Sequence, residues 1–344
     1  MNRLFCLFLI SIFAGALSIS SVSAQDGLFT LASDQPVVAH GKSGQWDGQY
    51  TDPGAVFYDD GMFHMFRNGF VGWPASVQIA YLTSPDGIHW TQPSPDPVMY
   101  SKDVPYAKVA ALASDALVLA DGTWVLYFYT WNSFDQNAAP GAIGRATAPA
   151  PSGPWTPDPA PILNPGPKGS WDDLRVNAPR VVKTDDGYRM YYAGFDENGL
   201  SSGQIGMATS TDGIHWTKYD DPSTTAAPYA ESDPIMKQPK SLVALGQPMV
   251  EQTPDGWVMT FRQNDFNGGL PQMTLNDALS ADGIHWNAAP QPFWERSTIP
   301  RSNGFWYTAM EYHDGTYYQY IETGIGGGTS IFLATHTGSL KPTS

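Results

Sequence analysis

The sequence predicts an all-β protein, a five-bladed propeller with four antiparallel strands per blade, closed by its own N-terminal segment. Three observations carry that prediction. A short string recurs as SPDGIHW at 84–90, STDGIHW at 210–216 and SADGIHW at 280–286, with a degraded copy, PSGPW, ending at Trp155. The four tryptophans stand 65, 61 and 70 residues apart. A second series of Asp-Gly pairs runs in parallel at Asp60, Asp121, Asp186, Asp255 and Asp314, which makes five units of about 60 residues. The composition agrees: 13% aromatic residues with 34 Gly and 29 Pro describe a turn-rich chain of strands.

Each unit reads alike. An apolar strand meets an Asp-Gly turn, an aromatic-rich strand returns, a third strand follows, and the Asp-Gly-x-x-Trp turn leads to an outer strand. In unit three these are PRVVKT, Asp186-Gly187, YRMYYAGF, QIGMATS and the DGIHW turn. Hairpin turns in which glycine takes positive φ join such strands into one blade. Unit five stops at IFLATHTGSL without a turn or outer strand. The missing piece stands at the other end, where FTLASDQPVV (29–38) resembles WTQPSPDPVM (90–99), so the N-terminal segment supplies the outer strand of the last blade. Closure of that kind hides the edges an open array would expose.

Ahead of the repeats, MNRLFCLFLISIFAGALSISSVSAQ combines Arg3, an apolar run and a Val-Ser-Ala end, the pattern of a secretory signal peptide over 1–24 with cleavage after Ala24. Residues 25–344 then form a single exported domain, secreted or periplasmic. No later stretch approaches the ~18 apolar residues of a membrane span. The single cysteine, Cys6, lies inside the signal, so disulfides and thiol catalysis are excluded from the mature chain. A net charge of −15 argues against nucleic acid and anionic membrane surfaces as partners. The acidic balance permits an axial calcium ion, but no EF-hand-type loop supports one, and no nucleotide, haem or zinc motif is present. No cofactor is therefore expected.

The thrice-written string is read as fold punctuation. Its Asp carboxylate can accept backbone N–H bonds, its Gly allows the reversal, and its Trp packs between blades. Copies far apart on a ring cannot cooperate in one reaction. His89, His215 and His285 leave the list of catalysts with it, and His40, His64, His313 and His336 lack metal-ligand spacing.

Chemistry is expected where the innermost strands converge. Aligned on the Asp-Gly pairs, unit one begins TDPGAVFYDDG, unit three NAPRVVKTDDG and unit four GQPMVEQTPDG, which places Asp52, Ala178 and Gln247 together at the mouth. The string DPGAVFYDDGMFHMF (52–66) resembles the first-blade signature of the invertase and fructanase family of glycoside hydrolases. The related arabinanase and β-xylosidase family also opens with Asp-Pro and is five-bladed. The resemblance implies a carbohydrate ligand and makes Asp52 the nucleophile or general base. The chain departs from the family in blade three, where Asn177-Ala178-Pro179 replaces Arg-Asp-Pro, and in blade four, where Gly246-Gln247-Pro248 replaces Glu-Cys-Pro.

Glycosidic cleavage calls for a protonated carboxyl and a carboxylate on opposite sides of the bond. Asp52 alone cannot be both, so a second acid must come from elsewhere. Asp115, Asp173, Glu231 and Glu311 compete for that role. Trp46 and Trp171 offer indole faces for a sugar, Arg180 and Gln247 offer polar contacts, and Arg175 and Arg262 are further candidates for binding hydroxyls or a carboxylate. Two function classes follow: a glycoside hydrolase with a relocated acid, and a glycan-binding propeller that lost it. Phosphorolysis is a variant of the first. Sugar identity, linkage and oligomeric state are not encoded in any motif.

Overall fold

A computed structural model describes residues 28–268, 272–299, 302–324 and 327–341. The expected signal peptide lies outside them. A short strand, β1 (Thr30–Leu31), precedes the blades. Blade one is β2 (Tyr50–Asp59), β3 (Met62–Phe70), β4 (Gln78–Ser84) and β5 (Met99–Tyr100); blade two is β6 (Ala110–Val118), β7 (Trp124–Trp131), β8 (Ile143–Ala148) and β9 (Thr156–Pro157). Blade three is β10 (Arg175–Thr184), β11 (Gly187–Phe195), β12 (Gln204–Ser210) and β13 (Thr217–Lys218), with β14 (Pro234–Met236) added beside β12. Blade four is β15 (Val243–Thr253), β16 (Gly256–Asp265), β17 (Gln272–Ser280) and β18 (Asn287–Ala288), with β19 (Trp294–Glu295) beside β17. Blade five is β20 (Thr308–His313), β21 (Thr316–Thr323) and β22 (Ser330–Thr337).

The fourth strand of blade five is β1, which pairs Thr30 with Thr335 and Leu31 with Ala334; Val38 bridges Ile331 further along the same edge. In blade one the outer segment does the same, with Thr91 opposite Thr83 and Met99 opposite Ile79. The ring thus closes as the two similar segments imply. First strands line the axis: β2 packs against β6 and β20, β10 against β6 and β15, and β15 against β20.

The DGIHW turns are blade-to-blade fasteners. In each, the Asp carboxylate accepts the amides of the Ile and His that follow and bonds the His ring at 2.7 Å. The His215 ring and the amides of His215 and Ile214 hold Asp212 far below the ordinary carboxylate range. The turn glycine's carbonyl then accepts a tyrosine hydroxyl from the preceding blade: Tyr320 to Gly87 at 2.7 Å, Tyr127 to Gly213 at 3.2 Å, and Tyr191 to Gly283 at 3.0 Å. These tyrosines occupy one register position on the second strand, opposite Ala309, Asp115 and Arg180. Blade one has Phe66 there, and Phe66 meets the degraded turn of blade two edge-on at Trp155, 5.3 Å between rings. Blade four has Thr260 there, facing the blade that has no such turn, and its hydroxyl instead reaches Gln319 at 2.8 Å. Tyr191→Phe is therefore expected to cost about 1 kcal/mol, a fall of about 2 °C in melting temperature; an unchanged melting curve would show that the fastener holds nothing.

Candidate active site

The entrance to the axis is built from bulges. Asp52 pairs with Asn68 and Ala55 with Phe66, so Pro53 and Gly54 together oppose one residue. Gly54 takes φ +52°, and a Cβ there would stand 2.1 Å from the Phe66 carbonyl oxygen, so both conformation and space require glycine. The bulge turns the Asp52 side chain inward. One carboxylate oxygen accepts the Gly54 amide at 2.9 Å and the Asn68 Nδ2 at 2.7 Å. Asn68 is itself stapled to blade two, donating to the Ala113 carbonyl at 2.9 Å and accepting its amide at 2.8 Å. Burial pushes the Asp52 pKa up to about 7, against the pull of the Asn68 and Gly54 bonds.

Blades three and four carry matching bulges at Ala178-Pro179 and Gln247-Pro248. Their hairpin loops are Asp185-Asp186 and Pro254-Asp255, one residue earlier relative to Asp-Gly than the Asp60-Gly61 loop of blade one. Strand register therefore places Asn177 and Gly246 at the level of Asp52, a shift of one from the turn-anchored alignment. Neither carries a carboxylate.

The facing positions on the second strands complete a ring: Asn68, Tyr129, Ala193, Arg262 and Glu322, each two residues beyond the fastener position. Glu322 exchanges backbone bonds with the segment before β20, its amide reaching the Tyr307 carbonyl at 2.7 Å. Its carboxyl accepts the Thr329 hydroxyl at 2.6 Å. Burial, with Asp52 as the nearby like charge, pushes Glu322 well above the carboxylate range. Tyr307 stacks on Tyr129 at 6.2 Å and its hydroxyl shares a 2.5 Å bond with Ser114. Two buried carboxyl groups, Asp52 on β2 and Glu322 on β21, thus stand at the mouth with pKa values raised by burial. Position on the second strand hid Glu322 from a search of first strands.

Four other acids and bases gather deeper. Arg180 donates to Asp115 at 2.7 Å and to Glu251, and stands 3.7 Å from Glu311. It also reaches the Val56 carbonyl at 3.4 Å and the Val250 carbonyl at 3.3 Å. One guanidinium on blade three thus touches all four other blades. Asp115 accepts the amides of Val181 and Ala116 as well. Burial raises Glu251 to about 7 and, with the Glu251 charge beside it, holds Glu311 well above the ordinary carboxylate value. Arg180, expected to bind substrate, is an axial hub with its donors engaged, and Asp115 and Glu311, expected as catalytic acids, are its partners. Among the described residues no group of three or more His, Cys, Asp or Glu is arranged to hold a metal ion.

The remaining candidates divide. Asp173 accepts the Gly169 amide at 2.7 Å and shapes its own loop. Trp171 is fully buried against Gly194 and Gly206 and donates to the Ser232 carbonyl at 3.0 Å, so it offers no face to a sugar. Trp46 packs on Gly69 beneath the Arg67 guanidinium. Both tryptophans precede an aspartate that neutralises a cation, Asp47 with Arg67 and Asp172 with Lys218, at 2.6 and 2.5 Å. The repeated Trp-Asp pair is packing. Gln247 does lie at the mouth, with φ +55° and its Nε2 donating to the Trp306 carbonyl. Exposed aromatic surface at this end comes from Trp306 and Phe134, 40% and 72% exposed, which precede β20 and follow β7.

Known structures share this architecture at low identity. A glycosyl hydrolase from Bacteroides ovatus is 18% identical, with 92% of this chain and 95% of that one covered and a TM-score of 0.66. A β-1,2-mannobiose phosphorylase from Listeria innocua, solved with β-1,2-mannobiose, is 13% identical over 90% and 96% of the two chains, TM-score 0.60. The GH43_1 enzyme from Xanthomonas citri, complexed with xylotriose, is 16% identical over 89% and 90%, TM-score 0.58. Among curated proteins no sequence matches. The model of the glycosyl hydrolases family 32 N-terminal domain matches residues 46–236, a span that holds Asp52, the hub Arg180 and the departures at Asn177-Ala178. With more than half of its length matched in this way, the chain belongs to the glycosyl hydrolase family 32 N-terminal domain family.

Proposed function

We propose that the protein is an exported glycosidase whose reaction takes place at the axial mouth, with Glu322 as general acid and Asp52 as the opposing carboxylate. The observation that carries this reading is the convergence of two buried carboxyls at the mouth, Asp52 and Glu322, both raised by burial, with the Asp52 charge adding to the rise at Glu322. Burial and the Asp52 charge raise the Glu322 pKa, which favours the protonated form that donates to the leaving oxygen. Asp52, pinned through Asn68 and Gly54, ionises near neutrality and faces the anomeric carbon directly or through water; the carboxyl separation in the substrate complex selects between those two courses. Trp306 and Phe134 supply aromatic faces on which a sugar ring can stack. Export rests on the signal-like segment at 1–24.

Hydrolysis of a panel of aryl-glycosides and oligosaccharides by the purified mature protein tests the reading, with turnover at pH 5–7 as the expected result. A second reading has its own support: no carboxylate stands at Asn177, Ala178 or Gly246, where relatives of the resemblance carry two of theirs. Saturable glycan binding with no turnover across the panel would select a non-catalytic glycan-binding propeller instead.

A further inference from the structure

The mouth of this strongly acidic protein holds two arginines without a carboxylate partner among the described residues. The whole chain carries −15, yet Arg262 on the ring and Arg175, two residues nearer the rim than Asn177, form no ion pair with any carboxylate among the described residues. Other buried arginines do: Arg67 meets Asp47 and Arg180 meets Asp115. Arg175 lies between the rings of Trp131 and Phe195, 4.8 and 4.4 Å from their centres, and gives one nitrogen to the Ala139 carbonyl at 3.1 Å. Its Nε and Nη2, and the Nε of Arg262, find no acceptor among the described residues. No carboxylate among the described residues reaches either guanidinium, and burial raises the pKa of both nearby carboxyls, Glu322 and Asp52, which weakens the negative charge facing them. Burial lowers both guanidinium pKa values only to about 10, so both remain cations.

Gln247 points to a ligand independently. It is 8% exposed, its Oε1 has no donor among the described residues, and its backbone sits at φ +55°. Its amide donates to the carbonyl of Trp306, which also accepts Arg262. The exposed indole, the guanidinium and the amide therefore form one constellation at the rim.

We propose that this mouth takes an acidic sugar, the carboxylate of a uronic acid residue being held by Arg262 while Arg175 adds a second positive charge behind it and Trp306 stacks on the ring. The proposal rests on the glycosidase reading for the site's location and deepens it to a substrate class. A planar guanidinium matches a carboxylate in two parallel hydrogen bonds, a geometry that a neutral sugar's hydroxymethyl group cannot reproduce. Inorganic phosphate has the same anionic chemistry and is the competing occupant.

The test is calorimetric titration of the full mature protein with galacturonate and glucuronate oligosaccharides, their neutral galactose and glucose counterparts, and inorganic phosphate. Turnover of the matching aryl-uronides and aryl-glycosides is measured in parallel. Acidic sugars should bind at least about ten-fold more tightly than neutral ones, with a preference that Arg262→Gln collapses and high salt weakens. Arg262→Lys, which keeps the charge and loses the fork, should retain part of it, and it serves if the glutamine variant does not fold. Equal affinity for neutral sugars overturns the proposal, as does an acid preference that survives Arg262→Gln or a neutral-glycoside turnover that requires phosphate. Turnover of neutral glycosides with no acid preference leaves the glycosidase reading standing alone. Acid-selective binding without any turnover upholds the charge assignment and removes the catalytic one.

Discussion

Asp52→Asn is expected to abolish turnover while raising stability at neutral pH. The asparagine Oδ1 can accept the same two bonds, from the Gly54 amide and Asn68 Nδ2, so the bulge survives. What it cannot do is act as a base or nucleophile, and a loss of about 10²–10⁴-fold follows. The stability change has a definite sign. A carboxyl whose pKa rises from 3.8 unfolded to about 7 folded contributes stability that is complete below pH 4 and lost as pH rises through 7. Asparagine does not titrate, so the variant should match the wild type near pH 4 and melt above it at pH 8, by at most about 4 kcal/mol. A variant that melts lower at pH 8 would mean that ionised Asp52 is stabilised by partners beyond Asn68 and Gly54.

Glu322→Gln separates the two roles. If Glu322 is the proton donor, its loss matters least for a substrate with an acidic leaving group such as a dinitrophenol, which departs without protonation. The variant should keep most of its rate on that substrate and lose about 10²–10³-fold on an alkyl glycoside. Equal losses on both would move the acid role to another residue. Loss of Asp52 should slow both substrates alike, because attack at the anomeric carbon is common to them.

The blades were legible because their turn chemistry repeats: a Ser, Asp and Gly at fixed offsets create the same bonds in all three full copies, and the degraded copy at Trp155 still packs against the preceding blade. The place of Asp52 at the axial mouth was legible because a proline follows it and fixes a recognisable bulge. Glu322 was not, because its level in the ring depends on how β21 pairs with the segment before β20, and blade five has neither the bulge nor the proline that marks the others. That Asp115, Arg180 and Glu311 share one ion cluster was not legible, for a different reason. A single charged residue in an apolar strand looks the same in sequence whether it faces a ligand or a partner 65 or more residues away, and only closure of the ring brings those partners together. Trp46 and Trp171, read as faces for a sugar, instead pack on Gly69 and Gly194, a contact set by strand pairing that no motif announces.

Removing the hub should have the largest effect on stability. Arg180→Ala leaves Asp115, Glu251 and Glu311 facing one another at the axis without a cation and frees the Val56 and Val250 carbonyls, so about 3–5 kcal/mol is expected, a fall of about 6–10 °C in melting temperature. The deficit depends on pH in a known direction. Without the guanidinium the three carboxyls acquire still higher folded pKa values, so the variant gains most from protonation; the gap to wild type should be narrowest near pH 4 and widen as pH rises toward 8. Should the variant fail to fold at neutral pH, Arg180→Met combined with Asp115→Asn, Glu251→Gln and Glu311→Gln supplies the complementary test. That quadruple change removes the charges together and should recover much of the loss, as neutral replacement of buried ion clusters does elsewhere. A single Arg180→Ala protein that melts within a degree or two of wild type at pH 7 would refute the hub. Recovery by the neutral cluster, with turnover on the same substrates intact, would show that Arg180 joins the five blades and takes no part in the chemistry above it.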